Sequence, residues 1–257
     1  MIVLIRAVLF DLGGTVHLCS TTRERKLWFA DRLLSRLSEY GIQLDVSPAL
    51  LSEQLEKNAE LYKHTAEETM RELPPETVWR DYYLRDHHLT YEQLAPIAEE
   101  LSFLYDYERV CNLRRPHLIS CLEELKRDGL RLGMISNILS RSIVPHFLAE
   151  YGIDKYMECV LTSASTGIRK PDAGIFRMAE QALGLTPDEL AYVGDTLSRD
   201  VRGVRNARWR LAIRIPSPNA ARRDKGMEEL GYKPDHTVAD LAEIPGIIRR
   251  VNEEGSR

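Results

Sequence analysis

An almost unbroken apolar run, Val3 to Phe10, stops abruptly at Asp11 and is followed at once by the pair Gly13-Gly14. The run is rich in β-branched residues and does not alternate apolar with polar. That pattern belongs to a strand covered on both faces, as in a parallel sheet sandwiched between helices. Parallel neighbours must be joined by long crossovers, so such a chain has to alternate strands and helices. The second half of the sequence does so. Leu118, Leu122 and Leu125 predict a helix ended by Asp128-Gly129, and Leu130 to Ser136 a strand. A helix over Ile143 to Glu150, a strand over Cys159 to Thr162 and a helix over Ile175 to Leu183 follow. Ala191 to Val193 then reads as a strand, Asp200 to Ala207 as a helix and Leu211 to Ile215 as a further strand. The expected fold is α/β, a doubly wound, Rossmann-like parallel sheet with right-handed crossovers.

Between the first strand and this alternation lies a block of different character. From Thr21 to about Arg109 it is rich in Leu, Glu and Arg at helical spacing. Leu27, Leu34, Leu37 and Tyr40 mark a stripe that Gly41 ends. Ser47-Pro48 starts a second helix, with Ser as its cap and Pro in its first turn. Pro74-Pro75 and Thr90 start two more. About four helices are therefore expected to pack as an inserted all-helical domain, residues 17–111, interrupting a core of 1–16 and 112–257.

The formal net charge of −4 over 257 residues leaves no basic footprint for nucleic acid. The apolar N-terminal run is too short to span a bilayer, is broken by Arg6 and leads straight into Asp11, so no membrane role is expected. Cys19, Cys111, Cys121 and Cys159 are scattered without metal-ligand spacing, which suits reduced, buried thiols and a cytoplasmic protein. Nothing in the sequence reports on oligomeric state.

Polar clusters stand where strands should end: Asp11 to Thr15, Ser136-Asn137, Lys170-Pro171, and Gly194-Asp195 with Asp200. Ligands of doubly wound folds bind at those carboxyl ends. As VLFDLGGT, GMISN, RKP and YVGDTLSRD, the clusters resemble the four motifs of the haloacid dehalogenase superfamily. The resemblance covers roughly 1–16 and 112–250, and the helical block sits where many members carry a cap.

The resemblance implies a Mg²⁺-dependent hydrolase of a phosphorylated small molecule. In that reading Asp11 is the nucleophile, forming an aspartyl-phosphate, and Asp11, Asp195 and the carbonyl of Gly13 bind Mg²⁺, a hard cation suited to oxygen ligands. Ser136 and Lys170 contact the phosphate, with Thr15 counted among the catalytic residues. Leu12, Gly13, Gly14 and Asn137 complete the phosphate cradle, and Asp200 orients Lys170 or the metal's water from outside the first sphere.

One position departs from the pattern. Phosphatases of the family carry a second aspartate two residues after the nucleophile, where it moves protons; here the residue is Gly13. General acid–base assistance contributes roughly 10²–10⁴-fold in rate. Three outcomes follow: a specialised phosphatase whose leaving group needs little protonation, such as an acyl phosphate, or that borrows an acid from the cap or substrate; carbon-centred chemistry of the phosphonatase or dehalogenase kind; or an impaired protein that binds phosphorylated ligands or a partner. A phosphonatase needs a cap lysine, for which Lys57 and Lys63 are available. Arg23 and Arg25 stand near the first hinge as possible contacts for a distal acidic group. Trp79 with Tyr82 and Tyr83 reads as cap core or a domain interface, His87-His88 lacks metal spacing because adjacent helical residues face apart, and His117 reads as a turn residue. The basic run Asn219 to Lys225 reads as a solvated loop, and the tail from Asn252 as frayed.

Overall fold

The computed structural model describes residues 3–224, 226–227 and 229–255, without the side chain of Arg222. In chain order it contains β1 (Ala7–Phe10), β2 (His17–Ser20), α1 (Arg23–Glu39), α2 (Pro48–Thr69), α3 (Pro75–Val78), α4 (Tyr91–Leu94) and α5 (Ala98–Tyr107). Then come β3 (Cys111–Arg114), α6 (Leu118–Arg127), β4 (Arg131–Ser136), α7 (Ile143–Glu150), β5 (Met157–Thr162), α8 (Ser163–Thr166) and α9 (Ala173–Leu183). The last stretch holds β6 (Leu190–Gly194), α10 (Arg202–Ala207), β7 (Leu211–Arg214), α11 (Ala220–Arg223), β8 (His236–Thr237) and α12 (Ile244–Gly255).

Six strands form one sheet in the order β5-β4-β1-β6-β7-β8, every pair parallel. This is the expected doubly wound α/β fold. The central strand β1 is wholly inaccessible, which explains its lack of alternation. Val8 and Phe10 face an apolar layer containing Leu122, Phe147 and Ile248, from α6, α7 and α12. Ala7 and Leu9 face Phe176, Ala179 and Val204, from α9 and α10. Register sets Phe10 beside both Met134 and Val193, so the carboxyl ends of β1, β4 and β6 open at one edge.

Between β2 and β3, an antiparallel pair, the chain passes through five α-helices among the described residues. Their apolar faces meet in a cluster of their own that includes Phe29, Leu33, Leu55, Trp79 and Leu101. Starts at Ser47, Pro74 and Thr90 are where the sequence put them, with Ser47 accepting from Leu50 N and Thr90 from Gln93 N. The extra helix, α5, begins after Ile97, which offers no side-chain cap and so left no sequence signal.

Three further expectations are corrected. The chain is not frayed at Asn252, because α12 continues to Gly255 and Asn252 Oδ1 accepts from Ile5 N at 2.7 Å; residues 256–257 lie outside the described residues. The stretch after Asn219 is a short helix rather than a loop, α11, with Ala221 and Arg223 exposed as expected but Ala220 and Asp224 buried; Lys225 lies outside the described residues. Cys111 is exposed rather than buried, while all four thiols are free. No helix among the described residues is long and apolar enough to cross a membrane.

Trp79 is fully buried and its indole Nε1 donates to Ser102 Oγ at 2.9 Å. Trp79→Ala leaves a void that the five helices cannot close, and should lower unfolding free energy by about 3–5 kcal/mol. Urea melts followed by circular dichroism will read the loss, and a shift below 1 kcal/mol would show that the helical cluster contributes little to stability.

Candidate active site

Asp11, one residue past β1, is buried and accepts a hydrogen bond at Oδ1 from Lys170 Nζ at 2.8 Å. The same ammonium donates to Asp200 Oδ1 at 2.6 Å and to the phenol oxygen of Tyr192 at 2.7 Å. Tyr192 in turn donates to the carbonyl of Ile135 at 2.7 Å, so all three ammonium contacts are anchored to the sheet. The backbone of Lys170 is held by Asn137, whose amide accepts from Lys170 N and donates to Lys170 O, both at 2.8 Å. Asn137 therefore aims the lysine, and its side-chain amide is occupied by that task rather than left open for a phosphate.

Carboxylate oxygens of Asp11, Asp195 and Asp200 lie within 4.8 Å of one another, all three residues buried. Asp200 is saturated: its other oxygen accepts from Thr196 N at 2.9 Å and Thr196 Oγ1 at 2.6 Å. Thr196, not Asp200, caps the turn that follows. Asp195 differs, since Oδ2 accepts from Ser217 Oγ at 2.5 Å while Oδ1 is buried with no partner. A buried carboxylate oxygen without a donor is costly unless a cation meets it. The donor set, hard oxygens only, fits Mg²⁺.

Electrostatics follow from the crowding. Burial pushes the Asp195 carboxyl up to about 7, helped by the charges of Asp200 and Asp11. Asp11 is likewise raised by burial against the pull of Lys170. Burial opposes charge on Asp200 as well, but Lys170 and Arg199 outweigh it and hold this carboxyl below its usual range.

The two glycines have different reasons. Gly14 has φ +89°, and a Cβ there would fall 2.0 Å from Asp195 Oδ2, so nothing larger fits. At Gly13 a Cβ would meet only Cys19 Sγ at 3.6 Å, an ordinary contact.

A cavity of about 400 Å³ opens above these residues. The core lines it with Asp11, Leu12, Gly13, Gly14, Ser136, Asn137, Lys170 and Asp195, and the helices with Lys63, Glu72, Tyr83 and Asp106. Thr15, expected among the catalytic residues, is fully buried and is not part of the lining. Its hydroxyl lies under the turn, where it has no partner among the described residues. Of the helical residues singled out in the sequence, Arg23, Arg25, Lys57 and Trp79 do not line the cavity. Arg25 Nε donates instead to the Glu108 carbonyl at 2.7 Å, and Lys63 pairs with Glu60 at 2.9 Å. His117 is a turn residue with φ 57°, bonded to Asp240 at 2.9 Å.

Several lining residues gave no sequence signal. Ser217 comes from the loop after β7 and Arg223 from α11, each distant in sequence from the motifs. Glu72, buried in the link between α2 and α3, accepts from Tyr62, Ser163 and Arg169, tying the helices to the residue preceding Lys170. Backbone bonds of 3.0 Å from Glu72 N to Gly167 O and from Arg169 N to Met70 O reinforce that seam.

The chain belongs to the haloacid dehalogenase-like hydrolase family, whose pattern matches residues 5–208. Phosphoserine phosphatase of Thermus thermophilus is 35% identical over 57% of this chain, a stretch spanning 56% of that protein's length. The chain thus matches little more than half of that relative. Ribulose-1,5-bisphosphate 5-phosphatase of Halopiger xanaduensis is 25% identical over 94% of this chain and 98% of its own. Among solved structures, a HAD phosphatase from Thermococcus onnurineus superimposes with a TM-score of 0.59 at 25% identity, over 95% of this chain and 98% of its own.

The raised Asp195 carboxyl has a measurable consequence. A carboxyl whose folded pKa is raised favours the folded state at low pH, and that contribution is lost as pH climbs from 3.8 through about 7. In metal-free buffer the stability of Asp195→Asn relative to the parent should therefore rise between pH 5.5 and pH 8. Thermal melts at both values test this, and a difference that does not change with pH would show that Asp195 ionises normally.

Proposed function

We propose that the protein is a phosphatase for a phosphorylated small molecule, with Asp11 as nucleophile and an aspartyl-phosphate as its covalent intermediate. The observation that carries the reading is the pairing of a lysine-bridged Asp11–Asp200 couple with a buried, unpartnered oxygen on Asp195. A carboxylate approaching a phosphate dianion meets repulsion, which a buried ammonium and a metal relieve. Mg²⁺ would be held by Asp11, Asp195 and the Gly13 carbonyl, and would supply that neutralisation. Lys170 steadies Asp11 and a phosphate oxygen, Ser136 offers a hydroxyl to a second oxygen, and Leu12 to Gly14 present backbone N–H groups. Asp200 holds Lys170 without touching substrate, and Asn137 fixes the lysine's backbone. Names of the relatives, phosphoserine phosphatase and ribulose-1,5-bisphosphate 5-phosphatase, support phosphate ester chemistry. Phosphonatase chemistry is less well served, because Lys63 is already paired with Glu60 and Lys57 lies off the cavity. The helical insert, residues 17–111, serves as the cap over a core of 1–16 and 112–257, and the enzyme works in the cytoplasm.

The proton that Gly13 no longer supplies has one source in the cap. Asp106 lines the cavity, and burial pushes its carboxyl up to about 7, so half of it is protonated near neutrality. Its Oδ2 accepts from Ser140 N at 3.3 Å, on the loop that follows Ser136 and Asn137.

Asp11→Asn should abolish phosphate release from a panel of phosphorylated metabolites, and EDTA should do the same to the parent. Release that survives either treatment rules the mechanism out. Gly13→Asp, for which the backbone leaves room, should raise turnover on alkyl phosphates by about tenfold or more, within the roughly 10²–10⁴-fold range of acid–base help. Asp106→Asn should cost the parent more than it costs the Gly13→Asp enzyme; equal losses in both backgrounds would remove Asp106 from the proton path.

A further inference from the structure

The cavity wall supplied by the core holds two arginines that the mechanism above does not use. Arg199 lies one residue before Asp200, in the π-helical turn Leu197–Val201, and Arg223 lies on α11. Both line the cavity. They are close enough to repel: the Arg223 guanidinium is pushed down to about 10, first by the charge of Arg199 and then by burial. Arg199 Nε is buried and finds no hydrogen-bond partner among the described residues.

The pair is held together deliberately by its neighbours. Asp224, adjacent to Arg223, is buried and accepts from Leu197 N at 2.8 Å and from Ser198 N at 3.1 Å. The residue beside each arginine is therefore bonded to the residue beside the other. Asp224 is further fixed by Arg214 Nη2 at 2.9 Å. Two like charges held side by side at the cavity wall, Arg199 half-buried and Arg223 reaching solvent, favour an anion that joins them. The carboxylates of Asp200, Asp195 and Asp11 favour the charge on Arg199, yet none of them takes a hydrogen bond from its Nε. Both oxygens of Asp200 are already bonded to Lys170 and Thr196. Glu67 of α2 approaches both arginines from the cap but is exposed.

We propose that Arg199 and Arg223 form a subsite for a second anionic group of the substrate. The substrate is then a phosphate monoester that also carries a carboxylate or a second phosphate, a class planar guanidinium forks recognise through paired hydrogen bonds. This inference rests on the phosphatase reading and narrows it.

The test compares matched substrates: 2-phosphoglycolate against ethyl phosphate, and propane-1,3-diol bisphosphate against propyl phosphate. The parent should prefer the anionic member of at least one pair in kcat/KM, and which pair shows it identifies the second group. Arg199→Gln and Arg223→Gln should each reduce that preference by roughly 10–100-fold, the size of a lost charge-assisted hydrogen bond, acting through KM. Arg223→Lys, which keeps the charge, should retain most of it. A parent that hydrolyses both members of each pair alike overturns the subsite, as does a variant that loses rate on all four substrates equally, because the arginines would then serve the transferred phosphate. Calorimetric titration of the parent with 2-phosphoglycolate and with ethyl phosphate needs no turnover. Absence of phosphate release thus overturns the phosphatase reading, while equal binding of the two ligands overturns the subsite. If Arg199→Gln does not fold, Arg223→Gln on the short α11 carries the comparison.

Discussion

Everything at the carboxyl edge of the sheet depends on one buried ammonium. Three carboxylates whose oxygens lie within 4.8 Å cannot all stay charged in a protein interior without cations between them. Lys170 meets two of the three, and its third hydrogen bond goes to Tyr192 rather than to water. Removing one partner of such a pair leaves an uncompensated buried charge, which typically costs about 3–5 kcal/mol. The fold spends several otherwise idle groups to prevent that. Asn137 grips the lysine backbone from β4's end, Tyr192 leans on the Ile135 carbonyl, and Thr196 occupies the far oxygen of Asp200. What remains unmet among the three carboxylates is Asp195 Oδ1, a buried oxygen whose cost a cation would relieve.

The same cluster explains why the helices between β2 and β3 sit where they do. Arg169 immediately precedes the lysine and is tied to Glu72, a residue buried in the link between α2 and α3. Tyr62 and Ser163 bond the same carboxylate, so Glu72 is the hub of a small polar network in which the buried Arg169 Nε alone finds no partner among the described residues. Networks of this kind are rigid when fully satisfied and unstable when half satisfied. The helical layer is therefore coupled to the position of Lys170 through one intervening residue.

Sequence carried the sheet and its motifs clearly, for identifiable reasons. β1 announces itself because both of its faces are buried, and Asp11, Lys170, Asp195 and Asp200 because strand ends in a doubly wound sheet are where polar residues collect. Residues whose role depends on a loop folding back were not legible. Ser217 and Arg223 lie beyond the last motif, and bonds distant in sequence, from Ser217 to Asp195 and from Leu197 and Ser198 to Asp224, carry that loop to the site. Asn137 was read as a phosphate contact because spacing shows position but not the direction a side chain points. Thr15 failed for the opposite reason: its place in the motif suggested chemistry, while the turn buries its hydroxyl.

Gly13 is informative because the fold does not require it. Its neighbour Gly14 is forced by a positive φ and by the carboxylate of Asp195, whereas a Cβ at 13 would meet nothing closer than a thiol at ordinary distance. The missing aspartate is thus a chemical choice rather than a steric one. Its absence also has an electrostatic side. A fourth carboxylate beside Asp11 and Asp195, both already raised by burial, would lift their pKa values further and weaken the case for ionised ligands. On the proposed mechanism, a proton carrier at Asp106, in the helical layer, would stand apart from the charged cluster. That layer is tied to the residue before Lys170 by the Glu72–Arg169 ion pair, so proton transfer from it would depend on that junction.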